Sequence, residues 1–218
     1  TNTYLPGLLA ERFRRSRITA FSTGNVYPLV GIDSGGATEE TPLHPVGEYG
    51  VTALGRERPL DYASRRHGTP VCVLRLNYAV ETRYGVLVDL GQRILADEPI
   101  DLSMGAVNCV WQGYANQVAL QSLSLASSPP TTLNLTGVRT LQVRALSEEL
   151  GKRLGKPPRF TGEEGPTALL SDASRCHALF GSPEIDTDRL LGWIAAWLGS
   201  GLPTHGKPTK FQVRDGKF

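Results

Sequence analysis

The chain has 218 residues, 40% apolar and 20% charged, with a net charge of +2 at neutral pH. This suits one large domain, or one and a half ordinary ones, around a buried core, and argues against long disorder. The charge balance gives no case for nucleic acid or an anionic membrane surface as partner, and no apolar run is long enough to span a bilayer.

Leu5, Leu8, Leu9 and Phe13 recur at helical spacing and predict a helix already running near residue 4. Arg12, Arg14, Arg15 and Arg17 read as its solvated end, where cations suit the helix dipole. Arg17–Ser22 is a short strand pattern, ended by Gly24 and Pro28, before a polar loop with Gly35, Gly36, Pro42 and Pro45. A helix is predicted from Glu48 to Arg66, with Gly68 as its stop and a kink or break at Pro59. Val71–Leu76 is almost continuously apolar, as a strand covered on both faces would be. Helices are expected near 85–95 and over 112–126, the second broken by Ser127-Ser-Pro-Pro130. Thr132–Leu135 reads as a strand, Thr140 as the cap of a helix reaching Leu154, Gly155 as its stop, and 159–161 as a small edge strand. A last helix follows Asp186 or Thr187, carrying the stripe Leu190, Leu191, Ile194, Trp197 and Leu198, and the tail from Gly199 reads as coil. Helix alternating with strand is the rhythm of an α/β fold with a parallel sheet and crossover helices.

Cys72, Cys109 and Cys176 are odd in number and widely spaced, with neither a metal pattern nor a redox pair. Cys72 and Cys109 sit in apolar runs and read as small core residues. No secretory signal is read, so a reduced, cytoplasmic protein without a metal site is expected.

Phe21-Ser-Thr-Gly-Asn-Val-Tyr27 carries the most chemical information. It follows a strand directly, and the C-terminal ends of strands face the crevice where open α/β sheets bind ligands. Tyr49 comes 26 positions after Thr23, at the start of a predicted helix. A strand-end hydroxyl can hold a substrate oxygen while a phenol exchanges a proton with it. On residue type alone this is weak, because Ser and Thr near turns ordinarily serve as caps and Tyr as half-buried packing.

The order of segments strengthens it. A strand ending in Ser22, Thr23, Val26 and Tyr27 precedes Tyr49, Gly50, Thr52 and Glu57 at a helix start, and then a strand ending in Leu74, Arg75 and Asn77. Leu133-Asn-Leu-Thr-Gly137 follows the later helix, and His205–Thr209 to Val213–Gly216 closes the chain. This order resembles the extended short-chain dehydrogenases/reductases, the NAD-dependent epimerase/dehydratase type, over essentially the whole chain. The resemblance implies a partial Rossmann-like, doubly wound parallel sheet over residues 1–137, with 78–106 an excursion into a second lobe. Residues 138–218 would be a smaller C-terminal substrate-binding lobe. It implies NAD or NADP as cofactor and a small-molecule substrate, with a nucleotide sugar among the options and nothing in the residues to select it. It implies Thr23, with Ser22 beside it, and Tyr49 as catalytic residues. Asn77 and Tyr78 would pass the nicotinamide side of the cofactor together with Tyr49, and Asn2 would help organise the site. A homodimer through paired helices is common in the family, and Pro59 weakens that expectation here.

Two positions depart from the family pattern. Its Tyr-x-x-x-Lys lysine lowers the tyrosine pKa and bonds the nicotinamide ribose, but the residue four after Tyr49 is Ala53. Arg56, almost two turns beyond Tyr49 on the same face, is the nearest stand-in, although a solvated arginine is the plainer reading. Tyr114 stands where an acidic residue usually precedes the helix entering at Ala115. The family's Gly-x-x-Gly-x-x-Gly turn, which lets a pyrophosphate approach a helix N-terminus, is not in the sequence. By segment order roughly one hundred residues, three strand–helix units and a strand at about thirty per unit, would precede residue 1, and the sequence is expected to be part of a longer chain. Beside the enzyme stands a second reading, a non-catalytic binding or regulatory relative, which Ala53 and the missing turn favour. Arg139, Arg144 and Arg175 are weak candidates for phosphate contacts, and His177 and His205 for acid–base groups.

Overall fold

The computed structural model describes residues 2–216. The principal elements are α1 (Tyr4–Arg12), β1 (Ile18–Thr23), α2 (Gly47–His67), β2 (Val71–Leu76), α3 (Val86–Ala96), α4 (Gln112–Gln121), β3 (Thr131–Leu135), α5 (Val143–Leu154), α6 (Ser174–Phe180) and α7 (Thr187–Gly199). The three strands form one parallel sheet in the order β1-β2-β3. Ile18 lies opposite Val71 and Thr23 opposite Leu76, while Leu76 pairs on its other side with Leu135. The central strand is the apolar run read from the sequence, and successive side chains leave it on opposite faces. Val71 and Val73 pack with Ala10, Leu60 and Ala63 under α1 and α2. Cys72 and Leu74 pack with Val118, Ala115 and Cys176 under α4 and α6. Burial on both faces is why that strand carries no polar alternation.

A separate apolar cluster gathers Val86, Leu90 and Ile94 of α3, Leu146 and Leu150 of α5, and Leu190, Leu191, Ile194 and Leu198 of α7. Short two-residue pairings stitch it together, among them Ala106–Val107 antiparallel to Leu141–Gln142, and Ile100–Asp101 parallel to Phe160–Thr161. Phe211 of the tail is buried in the same cluster.

Three expectations need correction, and one helix was not expected. Pro59 does not break α2, which runs from Gly47 to His67 and stops at left-handed Gly68. Proline costs a helix interior about 3 kcal/mol, but here Leu60 and Ala63 next to it are buried in the sheet core. A Cβ on Gly7 of α1 would come 3.4 Å from the proline ring, so α1 packs over it. The helix expected to reach Ala126 ends at Gln121 and passes into a 3-10 turn over Ser122–Leu125. Arg17 from the sheet edge takes the carbonyls of Leu123 and Ala126, both at 2.9 Å, which draws that segment out of the helix. The helix expected from a Thr140 cap begins at Val143, because Leu141 and Gln142 are drawn into a strand pairing. Helix α6 gave no periodic signal, being only 7 residues long.

The three cysteines are free and buried. Burial pushes the Cys109 thiol up to about 12 and the Cys176 thiol up to about 11, and raises that of Cys72. Among the described residues no helix is long and apolar enough to cross a membrane.

Candidate functional site

The C-terminal ends of β1 and β2 open into a cleft of about 590 Å³. Ser22, Thr23, Tyr49, Asn77 and Tyr78 all line it. Parallel pairing of Thr23 with Leu76 brings the two strand ends side by side, and the start of α2 delivers Tyr49.

Each strand-end residue is held by its own hydrogen bonds. The Thr23 hydroxyl accepts from the Asn25 backbone N–H at 3.2 Å and caps the short 3-10 turn Gly24–Val26. Ser22 donates to Glu57 of α2. Glu57 takes a two-pronged pair of bonds from Arg75 at 2.8 and 3.1 Å. Arg75 donates onward to the Tyr27 hydroxyl at 2.8 Å, which donates to Asn134 at 2.8 Å. Burial alone would lower the Arg75 pKa, but the bonds and charge of Glu57 raise it overall, so the guanidinium stays charged. Asn77 is 2% exposed and donates to Asn108 at 2.7 Å and to the Leu169 carbonyl at 3.1 Å. Tyr78 has φ of 45°, a left-handed conformation that is uncommon for a bulky residue and is tolerated where the surroundings over-determine it. Burial raises its phenol above the ordinary range, and Tyr49 and Tyr84 add to the effect. Tyr49 itself is 44% exposed.

Three further lining side chains have no role assigned from the sequence, although Lys207 lies in the His205–Thr209 stretch that carries the resemblance. Tyr84 precedes α3, while Lys207 and Lys210 sit on the C-terminal tail that crosses the cleft. Nothing in their spacing marks them, since tertiary folding alone brings the tail over.

The other candidates lie elsewhere. Asn2 is not a lining residue, and its side chain donates to Thr52 at 3.2 Å. Arg56 donates to the Phe21 carbonyl at 2.7 Å and to Asn2 at 2.9 Å, and does not line the cleft either. Ala53 is fully buried against Val26, Tyr27 and Ala37, so position 53 belongs to the core below the strand-end loop. Tyr114 donates to the Gly181 carbonyl, and burial raises its pKa. His177 lies 3.0 Å from the Thr136 carbonyl, and Arg144 pairs with Glu164 at 2.8 Å.

The lining therefore offers hydroxyls, amides and two cations, with no carboxylate. Such a surface can hold a substrate oxygen, exchange a proton with it and stabilise negative charge.

No family model matches the chain, and no curated protein matches it in sequence. Solved structures match its fold. A UDP-glucuronic acid 4-epimerase from Bacillus cereus, in complex with a fluorinated UDP-glucuronic acid and NAD, aligns with a TM-score of 0.77 at 18% identity. That alignment covers 91% of this chain and 67% of the other. A dTDP-glucose 4,6-dehydratase from Bacillus anthracis in complex with NAD gives 0.76 at 17% identity, covering 91% and 66%. A UDP-glucose 4-epimerase from Thermotoga maritima with UDP-glucose gives 0.75 at 18% identity, covering 92% and 70%. The chain thus has the Rossmann-like α/β fold of these proteins and spans about two-thirds of their length.

Proposed function

We propose that this chain carries the substrate-facing part of an NAD-dependent epimerase or dehydratase that acts on a hydroxyl-bearing carbon of a nucleotide-linked sugar. One observation carries the reading: Thr23, Tyr49, Asn77 and Tyr78, from separate segments, line a single cleft at the strand ends. The fold likeness to proteins solved with NAD and nucleotide sugars supports it. Residues 1–137 would be the cofactor-binding part and 138–218 the substrate lobe.

The described residues fit one side of a dinucleotide only. Strand β1 leads through Gly24 into a three-residue 3-10 turn, not into a helix open to a pyrophosphate. The N-terminus of α2 is closed by the tail, since a Cβ on Gly47 would lie 2.4 Å from the Gly216 backbone. Asn77, Tyr78 and Tyr49 would face the nicotinamide side of NAD, which when bound supplies a hydride acceptor and donor.

The chain's own residues supply the rest. The Thr23 hydroxyl, fixed by its cap to Asn25, orients the substrate oxygen. Tyr49 exchanges the proton of that oxygen, accepting it as the phenolate and returning it as the phenol. The Ser22–Glu57–Arg75 chain of bonds holds the β1 terminus against α2, and so sets Thr23 relative to Tyr49.

Tyr49→Phe is expected to lower turnover of UDP-glucose, UDP-glucuronic acid or dTDP-glucose in the presence of NAD by about 10²- to 10⁴-fold, the usual worth of a general acid–base group. Sugar-nucleotide affinity should hold. Unchanged turnover would overturn the assignment. The second reading, a non-catalytic binding module, is favoured by the burial of Ala53 away from the cleft. Nucleotide-sugar binding without any turnover would select it.

A further inference from the structure

The tail between Thr204 and Arg214 is coil, but it is fastened at many points. Gln92 donates to Thr204 at 3.0 Å, and the His205 backbone N–H donates to the Arg83 carbonyl at 3.0 Å. The Thr209 backbone N–H donates to the Asp89 carboxylate of α3 at 2.7 Å, and its hydroxyl donates to the same oxygen. Phe211 is buried in the apolar cluster, and Arg214 reaches the Ser103 carbonyl at 2.9 Å and the Thr167 carbonyl at 2.6 Å. Between these anchors Lys207 and Lys210 border the cleft.

Lys210 has φ of 54°. A lysine gains nothing from the left-handed region, so its neighbours impose the conformation: the Thr209 clamp on one side and the buried Phe211 on the other. Two carboxylates engage this stretch: Asp89, on which both bonds that Thr209 makes are spent, and Glu81, which pairs with the His205 ring at 3.3 Å. The two lysines are the sole formal charges among the cleft-lining residues. They stand opposite hydroxyl donors, and position 53 and Arg56 bring no charge there.

From this we infer that the tail is a cationic strap, and that Lys207 and Lys210 bind the diphosphate of a nucleotide-linked substrate. The inference deepens the proposed function by assigning the anionic part of the substrate to residues of the tail. A diphosphate matches the wall because it offers several oxygens to two ammonium groups and neighbouring hydroxyls, in charge-assisted hydrogen bonds. Exposed lysines keep part of their hydration and so carry charge to the mouth of the cleft without a large desolvation cost.

The test is calorimetric titration of the chain with inorganic pyrophosphate and with UDP, followed by the same titrations of Lys207→Ala/Lys210→Ala. Saturable binding by the parent chain is expected, weakened at least tenfold in the double variant. Removing two cations outside the cleft, in Lys152→Ala/Lys156→Ala, should change it less than twofold. UDP should bind more tightly than pyrophosphate and lose as much in the double variant. Thr209→Val keeps both lysines but loosens the strap, and should weaken both ligands severalfold. Absence of saturable binding, or equal binding by the parent and the lysine variant, overturns the strap. UDP binding no tighter than pyrophosphate overturns the nucleotide-linked source. Pyrophosphate binding needs no NAD, so loss of the strap and loss of Tyr49-dependent turnover are separate outcomes.

Discussion

The two walls of the cleft are built from opposite materials. On the sheet side the polar groups are buried and each is matched: Ser22 to Glu57, Glu57 to Arg75, Arg75 to Tyr27, Tyr27 to Asn134. Asn77 and Asn108 form a second such chain, ending on the Ser171 carbonyl at 2.6 Å. On the tail side the charged groups are exposed, and the backbone between them is held at discrete anchors. The difference follows from the cost of burying polarity. A buried polar group must be fully bonded, and once bonded its position is fixed. The bonded polar groups of the sheet side are therefore fixed in place, while the charge of the tail side stays in solvent.

The comparison breaks most visibly at Arg75. Arg75→Met strands Glu57 as an uncompensated charge where both partners are about nine-tenths buried, and should cost about 3–5 kcal/mol by chemical denaturation. Glu57→Gln together with Arg75→Met leaves no buried charge and should recover much of that loss. A cost below about 1 kcal/mol for the single variant would mean that the pair is more solvated than its burial shows.

A smaller loss is expected at Asn77. Replacement by Ala leaves the Asn108 side-chain oxygen and the Leu169 carbonyl without this donor, and should cost about 1–3 kcal/mol in the same assay. A neutral result would show that water reaches this pair.

The smallest effect is on the strap side and depends on pH. Burial raises the Asp89 pKa above its ordinary 3.8, and the Thr209 bonds only partly offset it. A carboxyl raised on folding stabilises most below its unfolded pKa, and that contribution fades as pH rises through the folded value. Asp89→Asn should therefore gain on the parent from acid to neutral pH, read as a Tm difference that grows upward from about pH 4. A difference independent of pH would mean that Asp89 has the same proton affinity in the folded and unfolded chain.

Much of the sheet wall was legible from the residues. The apolar run Val71–Leu76 announced a doubly covered strand, and the Ser-Thr turn, Tyr49, Asn77 and Tyr78 do line one cleft. The strap's place over the cleft was not legible, although its His205–Thr209 stretch was part of the resemblance. A segment of Gly, Pro, Lys and Thr has no periodicity, and its path is decided by Asp89 and by a pocket for Phe211, both remote in sequence. Asn2 fell outside the cleft lining because Thr52 and Arg56 engage its side chain. The break expected at Pro59 does not occur because propensity is a local penalty, and the burial of Leu60 and Ala63 outweighs it.

The three buried thiols give the molecule internal witnesses to its own opening. Cys72 and Cys176 belong to the sheet core and Cys109 to the helical cluster, and folding raises the pKa of all three. Only the thiolate reacts, so labelling by a small alkylating reagent must wait until the surroundings of a given cysteine come apart. If one core loosens before the other, the order in which the sites are modified will record it at single-residue resolution, with no engineered probe.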